Sequence, residues 1–594
     1  MGRRVSGRVA AALALFASSY AHAFTPTVSG GGVPVRWSGT PRLPLAGNPV
    51  NRSGIDPQSF FNAVVHGLQR WQAASFGGVS FDYWQGTDPS VYEPNSEYNG
   101  LSSIYFASNA SANPGLSANV LGLTQVWYDT NNGRILEADV VLNDLSYHFT
   151  NNPRDTSGYG SGGASGRNVY IENVITHELG HAFGLSHSGG LQTTMLFMES
   201  PEQAYLGCDE QSGIRAVYRG SASDGAGSIV GTVLAEGTQA PIFGAQVQAI
   251  SRTQGTVLSS AITDHLGKYS MGQLAPGSYY LMVEPFYAGS SALPGFYGGL
   301  TPAVCSGGRN FGRSFLVDPS HPNIALAVEV GASNLTSAPD LTARCSPGGI
   351  AAVVPAMSGA ENASRGPSVF AGSSGGFGIA DRFENGSTRT YFLENVSGHL
   401  QLNALGYSLY SPVSLGISLR QTNGMSINTA QAAAPLYTSQ SSGYVNHDAA
   451  LVVDDLPRGD YVVQVTATRL NASEYPAGPV SIDSVPFFLL TGSVNESGES
   501  RAQVSSGSRC LMNESFPLYA SPPGGPPRQP VEEKSKTGFC GNIEIARRGS
   551  GGDGDGKGSS GPGAGAGEIA GWFLPWVLML AMLRVRRLAA NLGG

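Results

Sequence analysis

Apolar residues recur along this chain at two periods, and the change from one to the other divides it. Phe60, Val64, Leu68 and Trp71 fall at helical spacing, which predicts a helix over about Asp56 to Ala73. Strand-like runs follow at Val79 to Tyr83, Ser103 to Phe106 and Val120 to Tyr128, and then at Ile135 to Leu142 after the turn Asn131-Asn132-Gly133. A loop rich in Gly, Ser and Asn, Asn151 to Gly166, precedes a second helix beginning near Val169. Residues 24–222 therefore read as a mixed α/β unit. From Gly227 only the strand period remains. Ser228 to Val233 and Ala245 to Ala249 are strands, Thr263 to Tyr269 is a turn, and Leu274 to Tyr279 leads into the strand Tyr280 to Val283, so 227–286 reads as a small β-sandwich. Residues 287–375 are rich in Gly, Ser, Ala and Pro and predict no firm fold. A second β-sandwich is expected over 376–490, where Asp455 to Tyr461 feeds the strand Val462 to Val465, and 491–567 reads as linker with a Gly-rich spacer.

Both ends carry addresses. Arg3, Arg4 and Arg8, the apolar run Val9 to Phe16 and the small-residue site Ala21-His22-Ala23 come in the order of a secretory signal peptide, 1–23. Near the other end, in 568–594, an apolar run from Ile569 to Leu583 is followed by Arg584, Arg586 and Arg587. That run is short of the roughly 20 residues of a comfortable transmembrane helix, and the arginines would hold the extreme C-terminus on the cytoplasmic side. Spacer, short span and Arg cluster resemble the C-terminal sorting tails of Gram-negative surface proteins. The expectation is an exported chain, secreted or at the cell surface, whose C-terminal segment enters the membrane at least transiently.

Composition narrows the classes. Charged residues are only 13%, with 81 Gly and 36 Pro, as in extracellular β-domains joined by spacers. The net charge of -8 has no large basic block behind it, which argues against nucleic acid as a partner. Of the five cysteines, proximity favours Cys305 with Cys345 and Cys510 with Cys540, leaving Cys208 over.

The chemistry concentrates at His177-Glu178-Leu179-Gly180-His181-Ala182-Phe183-Gly184-Leu185-Ser186-His187. On a helix, residues four apart share a face, so His177 and His181 can reach one Zn²⁺. Glu178 stands a quarter-turn round, placed to take a proton from water and not to ligate. Gly184 lets the helix end at positive φ and the chain return to offer His187 as third ligand. Three nitrogen ligands leave a position open, which marks a catalytic site.

This extended motif resembles that of the metzincin metalloproteases. Ser188, and Met195 eight residues past His187, are similar to the matrixin pattern within them; the resemblance covers about residues 33–220. It implies an α/β catalytic domain, a twisted mixed sheet plus an active-site helix, and hydrolysis of a protein or peptide substrate with one catalytic Zn²⁺. It further implies Met195 as the Met-turn floor beneath the metal, Gly213 to Tyr218 as a closing helix, and Glu137 to Asn143 as the substrate-aligning edge strand, with Ala138, Asp139, Val140 and Val141 its central residues. No Cys lies between Phe24 and the motif, so the cysteine-switch latency of many matrixins is not implied. Asp139, Asp144 and Asp155 are candidate Ca²⁺ ligands, although scattered loop acids are more often simply solvated. Residues 227–286 resemble the carboxypeptidase-regulatory-like β-sandwich, and 376–490, more weakly, a bacterial pre-peptidase C-terminal domain. Such β-domains suit contact with cell surfaces or glycans. The alternative is a surface adhesin with a vestigial zinc domain, against which the intact Glu178 argues.

Overall fold

A computed structural model of the chain describes residues 26–29, 33–46, 50–75, 77–86, 98–107, 116, 118, 120–152, 168–189, 193–196, 203–218, 225–285, 304–305, 311–345, 368–383, 388–422, 426–431, 447–470, 486–496 and 539–547. The expected signal peptide, the loop 153–167, Asp155, and the apolar run with its arginines lie outside these residues. Among the described residues no helix is long and apolar enough to cross a membrane.

The first unit contains β1 (Arg42–Ala46), α1 (Pro57–Ala74), β2 (Asp82–Gly86), β3 (Ile104–Phe106), β4 (Val120–Asp129), β5 (Ile135–Leu142), β6 (His148–Thr150), β7 (Asn168–Tyr170), α2 (Ile171–Ala182) and α3 (Cys208–Tyr218). Asp56 caps α1 by accepting the Ser59 N–H at 2.9 Å, and Phe60, Val64, Leu68 and Trp71 are all buried, as the period predicts. Strands β1, β2, β3 and β5 run parallel to their neighbours, whereas β4 is antiparallel to β5. The sheet order is β2-β1-β3-β5-β4, and a strand from near the other end of the chain, Phe539–Arg547, lies beyond β4. Helix α2 packs against β4, β5 and α1 and has almost every residue buried. The Trp71 indole N–H donates to the Thr176 carbonyl at 2.9 Å, fixing α1 to α2.

Two expectations are corrected by this arrangement. Ala138, Asp139, Val140 and Val141 do not form an edge: β5 lies between β3 and β4, all four residues are buried, and its backbone is paired on both sides. The edge assignment came from the likeness to the metzincin motif, and a segment's own residues do not fix its order in a sheet, which depends on strands distant in sequence. Nor is Cys208 the unpaired thiol, since it is disulfide-bonded. Cys305 and Cys345 do pair with each other.

The β-region is larger than its first strands suggested. Beyond β8 (Gly227–Ala235), β9 (Ala245–Ser251), β10 (Thr256–Ile262), β11 (Lys268–Leu274) and β12 (Gly277–Pro285) come β13 (Ser314–Phe315), β14 (Val317–Asp318), β15 (His321–Ala325), β16 (Ala327–Val330), β17 (Leu335–Ser337) and β18 (Leu341–Ala343). One sheet holds β10-β9-β12-β13 with β16 on β12; the other holds β11-β8-β17 with β18 on β8. Within 287–375, which predicted no fold, β13, β16, β17 and β18 thus complete both sheets of the first sandwich. These strands are too short to give a period of their own. Strands β14 and β15 join β19 (Ser368–Ala371), β20 (Gly375–Arg382), β21 (Thr388–Leu405), β22 (Val413–Gln421), β23 (Ser426–Gln431), β24 (Ala449–Arg469) and β25 (Phe487–Val494) in a nine-stranded sheet. Bulges between Leu393 and Leu400 interrupt the register of its longest pair, β21 with β24.

The α/β unit and the first sandwich share one continuous apolar core running from Val35 to Ala343. The apolar core therefore continues across the expected boundary at 222.

Candidate metal centre

Helix α2 carries His177 and His181 on one face, and the return after Gly184 brings His187 to them. Gly184 has φ +88°, and a Cβ there would lie 2.0 Å from the Val35 carbonyl oxygen, so both its conformation and its neighbour require glycine. Its own carbonyl accepts the Thr27 N–H at 2.8 Å. The three imidazoles are fully buried, and their candidate ligand atoms lie within 4.8 Å of one another. Among the described residues they are the one group of three or more His, Cys, Asp or Glu side chains so placed.

Backbone carbonyls set the ring orientations. Nδ1 of His177 is 2.7 Å from the Thr194 carbonyl and Nδ1 of His181 is 2.8 Å from the Leu185 carbonyl. A carbonyl only accepts, so each ring carries its proton on Nδ1 and offers the Nε2 lone pair inward. Nε2 of His177 is buried with no hydrogen-bond partner, and Nε2 of His181 is 3.2 Å from Nε2 of His187. Ligand nitrogens around a tetrahedral Zn²⁺ with bonds of 2.0–2.1 Å stand roughly 3.3 Å apart, so the pair is already near that separation. Burial pushes His177 down to about 3 and His181 well below its usual range, with the neighbouring imidazoles adding to both shifts. The His177 and His181 rings are therefore neutral, the form that binds metal. These residues fit a zinc ion.

Glu178 is fully buried beside them. Its Oε2 accepts from the Thr124 hydroxyl of β4 at 2.7 Å. Gly122, two residues earlier and so on the same face of β4, makes room for it: a Cβ there would meet Glu178 Oε1 at 2.8 Å and Val174 Cγ1 at 2.7 Å. Gly122→Ala is expected to displace the carboxylate by a fraction of an ångström to an ångström. It should lower kcat by up to about a hundredfold while leaving the metal content unchanged. Parallel metal analysis and steady-state kinetics on a peptide substrate check this, and an unchanged kcat would show that the carboxylate tolerates the shift.

Met195 is buried against α2 on the turn between the two helical ligands: a Cβ on Gly180 would lie 2.3 Å from its Sδ. Its N–H donates to Glu210 Oε1 at 2.9 Å, and its carbonyl accepts the Ser188 N–H at 2.8 Å. Asp209, next to Glu210 at the start of α3, accepts from the Ser188 hydroxyl at 3.0 Å. Burial raises both carboxyls, Glu210 to about 8 with the Asp209 charge as a second cause. Asp209 and Glu210 thus tie α3 to the loop that follows His187, a role their place at a helix start did not reveal.

The first sandwich reaches the same loop. Asp209 also accepts the Ser260 N–H at 2.6 Å and the Ser260 hydroxyl at 2.8 Å. Gln246 accepts the Gly189 N–H at 2.9 Å and donates to the Ser188 hydroxyl at 3.4 Å. Nothing in the sequence pairs residues so far apart. Ser260→Ala removes a hydrogen bond to a buried carboxyl and is expected to cost about 1–2 kcal/mol, read as a lower urea midpoint with an unchanged slope. An unaltered midpoint would show that the contact adds nothing.

The suggested calcium acids are engaged by the protein. Asp139 accepts from the Ser103 N–H and hydroxyl, both at 2.8 Å, and burial raises it to about 8. Asp144 accepts from the Arg52 N–H and the Ser53 hydroxyl. Among the described residues neither belongs to a group of three or more ligating side chains.

Comparison with known proteins agrees with the site. Residues 119–219 match the family model for matrixin, and residues 228–293 match that for the carboxypeptidase regulatory-like domain. The chain is thus matrixin-like over its metal centre, with a regulatory-like β-sandwich module packed beside it. No curated protein matches the chain. Among solved structures, the pre-peptidase C-terminal domain of collagenase from Bacillus anthracis is 10% identical over 22% of this chain and 95% of its own, with a TM-score of 0.14. The Bacillus anthracis TIE protein is 11% identical over 46% of this chain and 32% of its own, at 0.13. BcpA, the major pilin subunit of Bacillus cereus, is 10% identical over 44% of this chain and 67% of its own, at 0.12. At TM-scores this low these likenesses say nothing about function.

Proposed function

We propose that this chain is an exported zinc-dependent endopeptidase. The observation that carries the reading is the set of three buried imidazoles brought together at one point, with the carboxylate of Glu178, on the same helix as His177 and His181, engaged by Thr124. His177, His181 and His187 would hold the ion, and zinc, when bound, supplies Lewis acidity toward a peptide carbonyl and toward water. Glu178 takes the proton from the attacking water and passes it to the leaving amine. The Thr124 hydroxyl keeps one carboxylate oxygen engaged and so fixes the orientation of the carboxylate. Met195 forms an apolar floor, and Ser188, Asp209 and Glu210 hold the loop that presents His187. Export rests on the order of charge, apolar run and cleavage site at the start of the sequence, and surface display and trimming of the tail on the Gly-rich spacer, short apolar run and Arg cluster near its end. The test is cleavage of an unfolded protein by the purified chain, with Zn²⁺ or with a chelator; cleavage that a chelator leaves untouched would overturn the reading.

A further inference from the structure

The sheet of the first unit ends in a strand that comes from far along the chain. Strand β26 (Phe539–Arg547) runs parallel to β4 over its whole length, with Cys540 opposite Gly122, Asn542 opposite Thr124 and Arg547 opposite Asp129. Gly122 and Thr124 of β4 both lie against Glu178, so β26 pairs with β4 where the candidate base sits. It also neighbours α2.

We propose that the outer edge of β4 is a strand-docking surface and that β26 is its tethered resident, which an extended peptide must displace. The displacement rests on the peptidase reading; the docking does not. An edge strand presents a row of N–H and C=O groups, and any extended segment can satisfy them bond for bond. Because β26 belongs to the same chain, its docking is intramolecular and its effective concentration at the edge is set by the connecting chain, on the order of millimolar. A free peptide of similar intrinsic affinity must exceed that concentration to enter. The chain is therefore restrained by its own C-terminal segment, and the surface that restrains it is the one that selects extended substrates.

The test uses the full chain with Ile543→Pro and Glu544→Pro together. Adjacent positions point alternately toward and away from β4, so one of the two prolines removes a ladder N–H whichever way the strand faces. Amide hydrogen exchange of β4 reports docking without reference to activity. The β4 amides that face away from β5 should be protected in the unaltered chain and exchange faster in the proline pair. Zinc content should be equal, and kcat/KM on a peptide should rise by about tenfold, with a synthetic peptide of residues 539–547 inhibiting competitively when added back. Equal exchange in the two proteins would overturn the docking. Faster exchange with unchanged kcat/KM in an active enzyme would overturn the competition with substrate. Faster exchange with no cleavage by either protein would retain the docking and remove the peptidase reading instead.

Discussion

Glu178→Ala is expected to keep one zinc per chain and to lose nearly all hydrolysis, a fall in kcat of about 10²- to 10⁴-fold, the usual worth of a general base. The substitution leaves all three imidazoles and their carbonyl partners in place, since none of the Nδ1 contacts involves Glu178. It also leaves the Thr124 hydroxyl one of its acceptors, the Glu178 backbone carbonyl at 3.0 Å. The loss should therefore appear in kcat with little change in melting temperature. Metal analysis, calorimetry and steady-state kinetics on the same preparation separate these effects. Near-normal turnover in the variant would remove the role given to Glu178 and leave the metal site intact.

His187→Ala is expected to cost both metal and activity. Two imidazoles on one helix face form an incomplete site, and the third arrives only through the Gly184 return, so nothing on α2 can replace it. Dialysis against a chelator should leave the variant with well under a tenth of an equivalent of zinc, whereas the unaltered chain keeps most of its metal over the same time. Activity should fall by at least the factor lost in Glu178→Ala, because binding of the ion and its chemistry go together. Stoichiometric zinc after dialysis would show that another residue completes the site.

The metal centre was legible in the sequence because all three ligands and the base fall within eleven residues, where helix geometry alone fixes their relation. Helix α1 and strands β4 and β5 were legible for a similar reason, since their periods are long enough to read. What sequence could not give was set by contacts between distant residues. Gly122 and Thr124 matter only because β4 lies against α2. Asp209 and Glu210 look like ordinary first-turn acids until Ser188, Met195 and Ser260 come to them. The assignment of the edge to β5, carried over from the metzincin likeness, failed because order in a sheet is set by pairing between distant strands. Strands β13 to β18, two to five residues long, are specified by pairing with β8, β12 and the nine-stranded sheet and carry no period.

Whether His177, His181 and His187 hold a zinc ion that serves peptide hydrolysis is decided by metal-dependent cleavage. The zinc-loaded chain carrying the proline pair in β26, which opens the β4 edge, is incubated with an unfolded protein, then stripped by chelator, then given one equivalent of Zn²⁺. The expected result is cleavage, its loss on stripping, and its return with the single equivalent. Cleavage that survives stripping, or none from the zinc-loaded chain, would contradict a zinc peptidase.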